Sequence, residues 1–397
     1  MEQKKQYGLL YKIFLLCSFV LIMAIIFYLT FALFGINFLK LMDSFSSLLI
    51  DKFELLNEND IVFSLLKNVF IVGFGTVLSL LPIISLYYFF LAIIEESGFI
   101  KKALYVFEKP LNKIGLSSNN VLPLLNSFGC CVNALQSLDE IENVRERKVS
   151  ALAISFLTCS GKIPLCIALA MVYFPKFQWF IAFGFYCLGI GISFLLILFA
   201  TPRVKNIKLR ELPVVKIPNF KMVLILVINK IKNWITKVYP IFFVCAILLW
   251  FLFSFDFKFN YVVDPINSIA GCIGRLLTYL FYKLEIYDWR AYSSFFSGFF
   301  FKENIEGTLS LLTYGVENFN CLFSRITIAV FATFTLVSTP CICVIAELKR
   351  QFGYKFATFT VFFQYFMAWL LASAMFSFGM LIWKLYLFNA QKLLKIV

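Results

Sequence analysis

Thiols and carboxylates recur inside long apolar stretches of this chain, where polar groups are costly to keep. Thiolate sulfur suits copper(I), zinc and iron, and a mixture of sulfur and carboxylate favours divalent iron, zinc or manganese. The cysteines stand singly or adjacent, unlike the paired cysteines of a closed structural zinc site, so we expect a site through which an ion passes. The candidate ligands are Cys130, Cys131, Cys159, Cys341 and Cys343, with Glu95, Glu96, Glu303 and Glu306.

Each of these residue types also has an ordinary structural explanation. Buried cysteine commonly packs as a small apolar side chain, which we expect for the other cysteines of the chain. Glu95 and Glu96 stand at a predicted membrane edge, where they could form a solvated rim or a gate. Glu303 could form a structural ion pair. Cys130 and Cys341 follow a glycine and a proline at predicted helix breaks, so packing alone explains them least well.

The chain contains no histidine. This excludes a zinc protease of the H-E-x-x-H type, a Cys-His nucleophile and a histidine proton relay. A nucleotide-binding P-loop is also missing, because Gly161-Lys162 lacks the earlier glycine and the following serine or threonine. We therefore predict that the chain is not an enzyme and holds no resident cofactor.

The composition is that of a membrane protein. Hydrophobic residues make up 61% of the 397 residues, charged residues only 15%, and the mean hydropathy is +0.87. Apolar runs of about 20 residues, the length that crosses a bilayer, recur along the chain. We predict an all-α polytopic membrane protein with about eight transmembrane helices in one permease domain, 1–397. The predicted spans are 9–34, 74–97, 149–173, 178–200, 234–255, 291–313, 322–344 and 356–384.

The net charge of +14 reflects topology and does not indicate a nucleic-acid partner, because Lys and Arg gather in short connections between apolar runs. The connection 201–232 holds eight basic residues against one acid, which predicts a cytoplasmic loop, whereas the stretch 36–66 is mainly acidic. We expect a multi-pass protein with both termini in the cytoplasm.

Two apolar stretches, 116–135 and 265–284, are interrupted by glycine, proline or charge and are predicted to be re-entrant or broken. The pattern S-G-F-x-x-K occurs at 97–102 and again at 297–302, and cysteines in a turn-like setting follow each copy. We interpret 60–200 and 234–384 as two inverted Gate-type repeats. Inverted repeats commonly hold the substrate site between them.

These stretches together resemble the membrane core of the FeoB ferrous iron transporters. The resemblance rests on 96–99, 123–132, 145–148, 158–164, 298–303, 307–309 and 339–341, which occur in the family's order. It implies that Cys130, Cys159 and Cys341 take the family's cysteine positions along the iron path, with Glu96 and Glu303 as gate acids. Together with Cys131, which is a candidate from the residue types alone, the predicted metal ligands are Cys130, Cys131, Cys159, Cys341, Glu96 and Glu303.

The resemblance has departures. Asn133 stands where the family usually has proline, and Gly161-Lys162 stands where alanine-arginine is usual. The family's soluble G-protein domain is also missing from the front of this chain. The resemblance thus implies two partners, a separate FeoB-type G-protein domain and an FeoA-like small protein. It is also compatible with assembly of this chain into a homo-oligomer.

We expect Fe2+ import across a bacterial inner membrane, with Fe2+ as the transported substrate and the lipid bilayer as the surroundings. Three alternatives stay open. One is a permease for manganese or zinc. Another is a nucleoside permease, in which Asn126, Asn133 and Gln136 would matter more than thiols. The third is a degenerate membrane scaffold that transports nothing.

Overall fold

The computed structural model describes residues 9–35, 37–38, 41, 44, 61–65, 69, 75–114, 118–141, 143–173, 175–200, 215–313, 319, 322–338 and 341–394. The chain divides into two compact units, each discontinuous in sequence. Unit 1 comprises Met1–Ser160 and Gly191–Val244, and unit 2 comprises Gly161–Ile190 and Cys245–Val397.

The helices of the first half of the chain alternate between long apolar runs and short segments. They are α1 (Leu9–Phe27, continued by a π-helical Tyr28–Gly35), α2 (Ile61–Leu65), α3 (Gly75–Glu96), α4 (Phe99–Ile114), α5 (Ser118–Asn126), α6 (Cys131–Gln136), α7 (Val144–Phe156), α8 (Ile163–Tyr173) and α9 (Gln178–Ala200). Short 3-10 turns cover Ser137–Glu140 and Ser160–Lys162.

The second half begins with a very long helix and ends with another. The helices are α10 (Phe220–Ser254), α11 (Ile269–Leu280), α12 (Trp289–Phe300), α13 (Asn304–Thr313), α14 (Arg325–Ser338), α15 (Ile342–Phe352) and α16 (Tyr354–Leu394). In unit 2, α14 packs along α16, and α12 packs between α11 and α13.

The predicted all-α polytopic membrane class is confirmed. Within the described residues, six helical segments are long and apolar enough to cross a membrane, or seven if the bent pair Leu81–Glu96 and Phe99–Val106 forms one span. The two arms of that pair meet at 64°. The six segments are Leu10–Thr30, Val144–Tyr173, Phe180–Ala200, Phe220–Ser254, Arg325–Phe352 and Tyr354–Leu381.

Two of these segments are interior helices. In Val144–Tyr173 and Arg325–Phe352, 89% and 81% of the apolar stretch is buried within the protein, against 18–33% for the other four. Both interior segments are interrupted, the first between α7 and α8 and the second between α14 and α15. The predicted ligands Cys159 and Cys341 lie at these two interruptions.

The predicted span 291–313 is instead two short helices, α12 and α13. At 1.5 Å per residue they are about 18 Å and 15 Å long, and neither alone reaches across a hydrocarbon core of about 30 Å. The break at Phe301–Glu303 carries Lys302 and Glu303, whose charges interrupt the apolar run. Hydropathy averaged over about 20 residues hides a break of this length.

Both stretches predicted to be broken are interrupted in the structure. The stretch 116–135 contains α5 and α6, with a turn at Ser127–Gly129 between them. The stretch 265–284 contains the 12-residue α11 between two 3-10 turns.

The two copies of S-G-F-x-x-K differ in local structure. Ser97 and Gly98 form the turn between α3 and α4, and Gly98 has a positive φ of 75°, whereas Ser297 and Gly298 lie inside α12. The interpretation as two inverted repeats stays a prediction. Much of the acidic stretch 36–66, the basic residues at 201–214 and Thr339-Pro340 lie outside the described residues.

Candidate functional site

The turn between α5 and α6 places Cys130 at a helix break. Cys130 has extended backbone angles, φ −149° and ψ 123°, and directly precedes the first residue of α6. The turn is tied to the second interruption of unit 1, because the Ser160 hydroxyl donates a hydrogen bond of 2.7 Å to the Gly129 carbonyl. Cys159 lies next to Ser160 and is buried. Two of the predicted ligands therefore belong to connected breaks.

Aromatic rings pack directly on the same turn. The Tyr87 hydroxyl donates to the Leu125 carbonyl at 2.8 Å, and both Tyr87 and Tyr88 are fully buried. A Cβ atom added to Gly129 would lie 2.6 Å from Tyr87 Cδ1 and 3.3 Å from Tyr88 Cε1. Only glycine allows the tyrosine rings to approach this closely, so packing explains why a glycine precedes Cys130.

Cys131 faces backbone carbonyl groups. Its Sγ lies 3.9 Å from the Ser127 oxygen, 3.7 Å from the Ile154 oxygen and 3.9 Å from the Leu157 oxygen. The side chain is buried. These contacts fit a thiol that packs as a small side chain and donates weakly to carbonyls.

Glu95 belongs to a cluster of side chains around the Lys230 ammonium, which we did not predict from the sequence. The Lys230 ammonium lies 3.2 Å from Glu95 Oε2 and 3.3 Å from Asn126 Oδ1. It also stands 5.4 Å from the centre of the Tyr88 ring. The Tyr88 hydroxyl in turn accepts a hydrogen bond of 3.0 Å from Asn133 Nδ2. This cluster, Glu95, Asn126, Tyr88, Asn133 and Lys230, is called the lysine site below.

Helix packing brings Lys230 to Glu95. Ala92 of α3 is buried against Val223 and Val227 of α10. Glu95 and Lys230 follow Ala92 and Val227 by three residues each, so both lie about one turn further along the contacting faces. We predicted that Lys230 lies in the basic connection 201–232, but it lies inside α10. The apolar residues on both sides of Lys230 are the sequence signal that could have shown this.

Glu96 forms a second, more open ion pair. Its carboxylate lies 3.0 Å from the Lys216 ammonium, and the Lys216 side chain is 64% exposed. Two adjacent acids at the C-terminal end of α3 are unfavourable next to the negative end of the helix dipole. Each acid is compensated by a lysine of the segment 215–254. The Lys216 end of this pair is open to solvent, whereas the Glu96 side chain is only 17% exposed, and the choice between a rim and a gate for Glu96 stays a prediction.

In unit 2, Cys341 directly precedes the first residue of α15 and is buried. Its Sγ lies 3.8 Å from the Phe300 carbonyl oxygen, at the end of α12. Cys341 thus connects two interruptions of unit 2, as the Ser160–Gly129 hydrogen bond does in unit 1. Cys343, two residues further on, is also buried.

Glu303 packs over Gly161. A Cβ atom added to Gly161 would lie 2.6 Å from Glu303 Cδ and 2.7 Å from its Cγ. The neighbouring Lys162 is buried and donates a hydrogen bond to the Leu336 carbonyl. The Glu303 carboxylate therefore packs on Gly161, one of the two residues that stand where alanine-arginine is usual in the family.

The predicted ligands are distributed over both units: Cys130, Cys131, Cys159 and Glu96 in unit 1, Cys341 and Glu303 in unit 2. Among the residues that the structure describes, no three Cys, Asp or Glu side chains form a group that could hold a metal ion. The six-residue ligand set stays a prediction.

Comparison with known proteins gives the relationship. A sequence-family model described as Gate, nucleoside recognition, matches residues 77–174, which include both breaks of unit 1. The Fe(2+) transporter FeoB of Methanocaldococcus jannaschii is 29% identical over 335 residues, covering 79% of this chain and 49% of the relative. The chain is similar to the FeoB transporters. The FeoB of Leptospira biflexa is 30% identical over 270 residues, covering 64% of this chain and 39% of the relative.

A third FeoB relative is named as a fusion. The Fe(2+) transport protein A/Fe(2+) transporter FeoB fusion protein of Porphyromonas gingivalis is 24% identical over 367 residues, covering 78% of this chain and 43% of the relative. The chain spans about half the length of the FeoB proteins that it matches. No solved structure matches the chain.

Proposed function

We propose that this chain carries ferrous iron across a membrane, as an importer in a bacterial inner membrane. The observation that carries the proposal is the similarity to proteins named Fe(2+) transporter FeoB over 79% of the chain. The apolar helices supply the membrane part. We further propose that both termini lie in the cytoplasm, because the basic residues gather in the connections on that predicted side.

The proposed path uses the helix breaks. Broken helices at membrane depth offer backbone carbonyls to a cation, and transporters place their sites there. Cys130, Cys159 and Cys341 each stand at such a break. Their thiols would supply soft ligands for Fe2+, while the carboxylates of Glu96 and Glu303 would offset its charge.

The test is uptake of radioactive ferrous iron, under reducing conditions, into an iron-import-deficient bacterial strain that expresses the chain. Cys130→Ser and Cys341→Ser should lose most of the uptake, because a hydroxyl is a poor ligand for Fe2+ compared with a thiolate. Cys187→Ser is the matched control, since Cys187 is exposed on an apolar helix. Equal uptake by all three variants would refute the thiol path.

Partners are part of the proposal. We propose that a FeoB-type G-protein domain and a small FeoA-like protein act with this membrane domain, in keeping with the fusion relative. Co-expression of such a G-protein domain should raise uptake, and the domain should co-purify with the chain. Full uptake by the purified chain alone in vesicles would count against this.

A second candidate function follows from the family description, nucleoside recognition. Amide side chains suit the hydrogen-bonding edges of bases, and Asn126 and Asn133 are both buried at the first hairpin. Uridine uptake that is lost in Asn133→Ala, with iron uptake absent from the parent chain, would favour this alternative.

A further inference from the structure

Lys230 is held in an unusual place for a lysine. It follows the start of α10 at Phe220 by ten residues, about 15 Å along the helix at 1.5 Å per residue. A long lysine side chain near a membrane edge normally extends its ammonium into water. Here the side chain is only 21% exposed, and the ammonium turns inward to the lysine site.

The partners of the ammonium are groups that bind cations in general. Glu95 offers a carboxylate oxygen at 3.2 Å and Asn126 an amide oxygen at 3.3 Å. The Tyr88 ring, 5.4 Å away, attracts a cation through its negative face. Carboxylate and amide oxygens are also the usual ligands of hard divalent cations. The lysine site therefore has the ligands of a cation-binding site, and the cation that it holds is the chain's own Lys230 ammonium.

The lysine site is built from several elements, and one of its side chains, Asn133, has an amide oxygen that accepts no hydrogen bond within the described residues. Tyr88 and Glu95 lie about two turns apart on α3, Asn126 ends α5, and Lys230 comes from α10. Asn133 is nine-tenths buried and is fixed by its bond to the Tyr88 hydroxyl. Its Oδ1 accepts no hydrogen bond within the described part of the chain. A buried acceptor without a donor is costly, so a polar or positively charged partner for this oxygen would be favourable.

The neighbouring pair Lys216–Glu96 provides a contrast. Its lysine is mostly exposed, and among the residues that the structure describes neither an amide oxygen nor an aromatic ring contacts the Lys216 ammonium. The two adjacent acids are similarly shielded, but their lysines differ: the Lys216 side chain is exposed to solvent, whereas the Lys230 side chain is only 21% exposed and contacts several groups. Only the second arrangement offers a place for an exchangeable ion.

We propose that Glu95 and Asn126 form a cation site that Lys230 fills as a tethered occupant, and that a divalent cation binds there by displacing the Lys230 ammonium. The flexible stem of lysine allows the displacement without a change of fold. The identity of the cation as the transported ion rests on the proposed function, whereas binding and displacement are measured without transport.

The first test is Mn2+ binding to the purified full chain in detergent, measured by loss of the free Mn2+ signal in electron paramagnetic resonance. Lys230→Met should bind Mn2+ about tenfold more tightly or better than the parent, because a competing positive charge is gone. Lys230→Met combined with Glu95→Gln should return to weak binding. Lys232→Met, which removes an exposed lysine two residues away, is the matched control and should match the parent.

The second test follows the displacement in the unaltered protein. Labelling of Lys230 by an amine-reactive reagent, quantified by mass spectrometry, should rise several-fold as Mn2+ is added. Labelling of Lys232 should stay constant. This measurement does not depend on the folding of a variant, and Lys230→Gln, which keeps a polar side chain at the position, provides a further binding measurement with the same expectation.

Unchanged Mn2+ affinity in Lys230→Met, together with unchanged Lys230 labelling, would overturn the proposal and leave Lys230 as a structural ion pair. Tight binding in Lys230→Met that persists after Glu95→Gln would also overturn it, because the metal would then bind elsewhere. Loss of iron uptake has no bearing on these outcomes. A chain that binds Mn2+ as expected but transports no iron would contradict the proposed function alone.

Discussion

The contact between Gly161 and Glu303 leads to a quantitative prediction for Gly161→Ala. The added Cβ would lie 2.6 Å from Glu303 Cδ and 2.7 Å from Cγ, whereas ordinary van der Waals contact begins at 3.4 Å. The Glu303 side chain must therefore move by roughly 1 Å or change rotamer. Because the struck atoms are the end of a flexible side chain, the rearrangement costs about 0.5–1.5 kcal/mol, which lowers the population of the observed Glu303 position by about 2- to 13-fold.

The assay has two readouts. Thermal unfolding in detergent should show Gly161→Ala to be less stable than the parent, and ferrous iron uptake should fall if the Glu303 carboxylate acts on the path. Gly184→Ala is the matched control, because a Cβ atom there would meet nothing within 4 Å. Alanine in place of that helical glycine should be neutral or stabilising by about 0.5–1 kcal/mol.

A double-mutant cycle separates the clash from other effects. Glu303→Ala removes the side chain that the new methyl group would strike, so Gly161→Ala should cost far less stability in a Glu303→Ala background. The family resemblance suggests alanine at position 161. The experiment therefore also tests whether the observed conformation of the Glu303 side chain depends on glycine at that position. Equal stability of Gly161→Ala and Gly184→Ala, without coupling to Glu303→Ala, would refute the reasoning.

Three further predictions concern local structure. Asn143 accepts hydrogen bonds from two backbone N–H groups in the first turn of α7, so Asn143→Ala should lower stability by about 1 kcal/mol in thermal unfolding. In the loop that follows α10, the backbone N–H of Asn260 donates to Asp256 and holds the pKa of its carboxyl below the ordinary value. The ionised carboxylate therefore stabilises this loop at pH values above the ordinary aspartate pKa, and the stabilisation is lost as the pH falls through the lowered pKa. Hydrogen exchange of the loop, corrected for the intrinsic rate, should therefore accelerate in acid, and Asp256→Asn should remove this pH dependence. Lys216→Ala breaks an ion pair with Glu96 in which the lysine is exposed, and it should change the unfolding free energy by less than about 1 kcal/mol; a larger loss would show that solvent does not screen the pair.

Hydropathy and helix breakers predicted a large part of the architecture. The apolar runs gave the all-α membrane class, and glycine and proline marked the breaks beside Cys130 and Cys341. The break at Lys302-Glu303 was missed because the surrounding phenylalanines keep the averaged hydropathy high. One local pattern, S-G-F-x-x-K, was read twice as the same feature, yet tertiary context made one copy a turn and the other a helix.

The lysine site could not be predicted for a different reason. Its members come from three parts of the chain that are far apart in sequence, and a lysine in a basic region is ordinarily a marker of topology. Only the packing of α3 on α10 shows that the Lys230 ammonium points inward. Likewise, nothing in the sequence distinguishes Glu95, whose lysine partner is largely shielded, from Glu96, whose lysine partner is exposed to solvent.

The contrast between interior and outer helices affects how the chain would respond to random substitution. On outer helices such as α9, exposed phenylalanines, including Phe180 and Phe199, would be surrounded by acyl chains, so one bulky apolar residue can replace another with little effect. In Val144–Tyr173 and Arg325–Phe352 even a single methylene matters, because most side chains are enclosed on all sides. A saturation library scored for protein abundance should therefore show two intolerant segments, each centred on a cysteine break, among tolerant apolar helices.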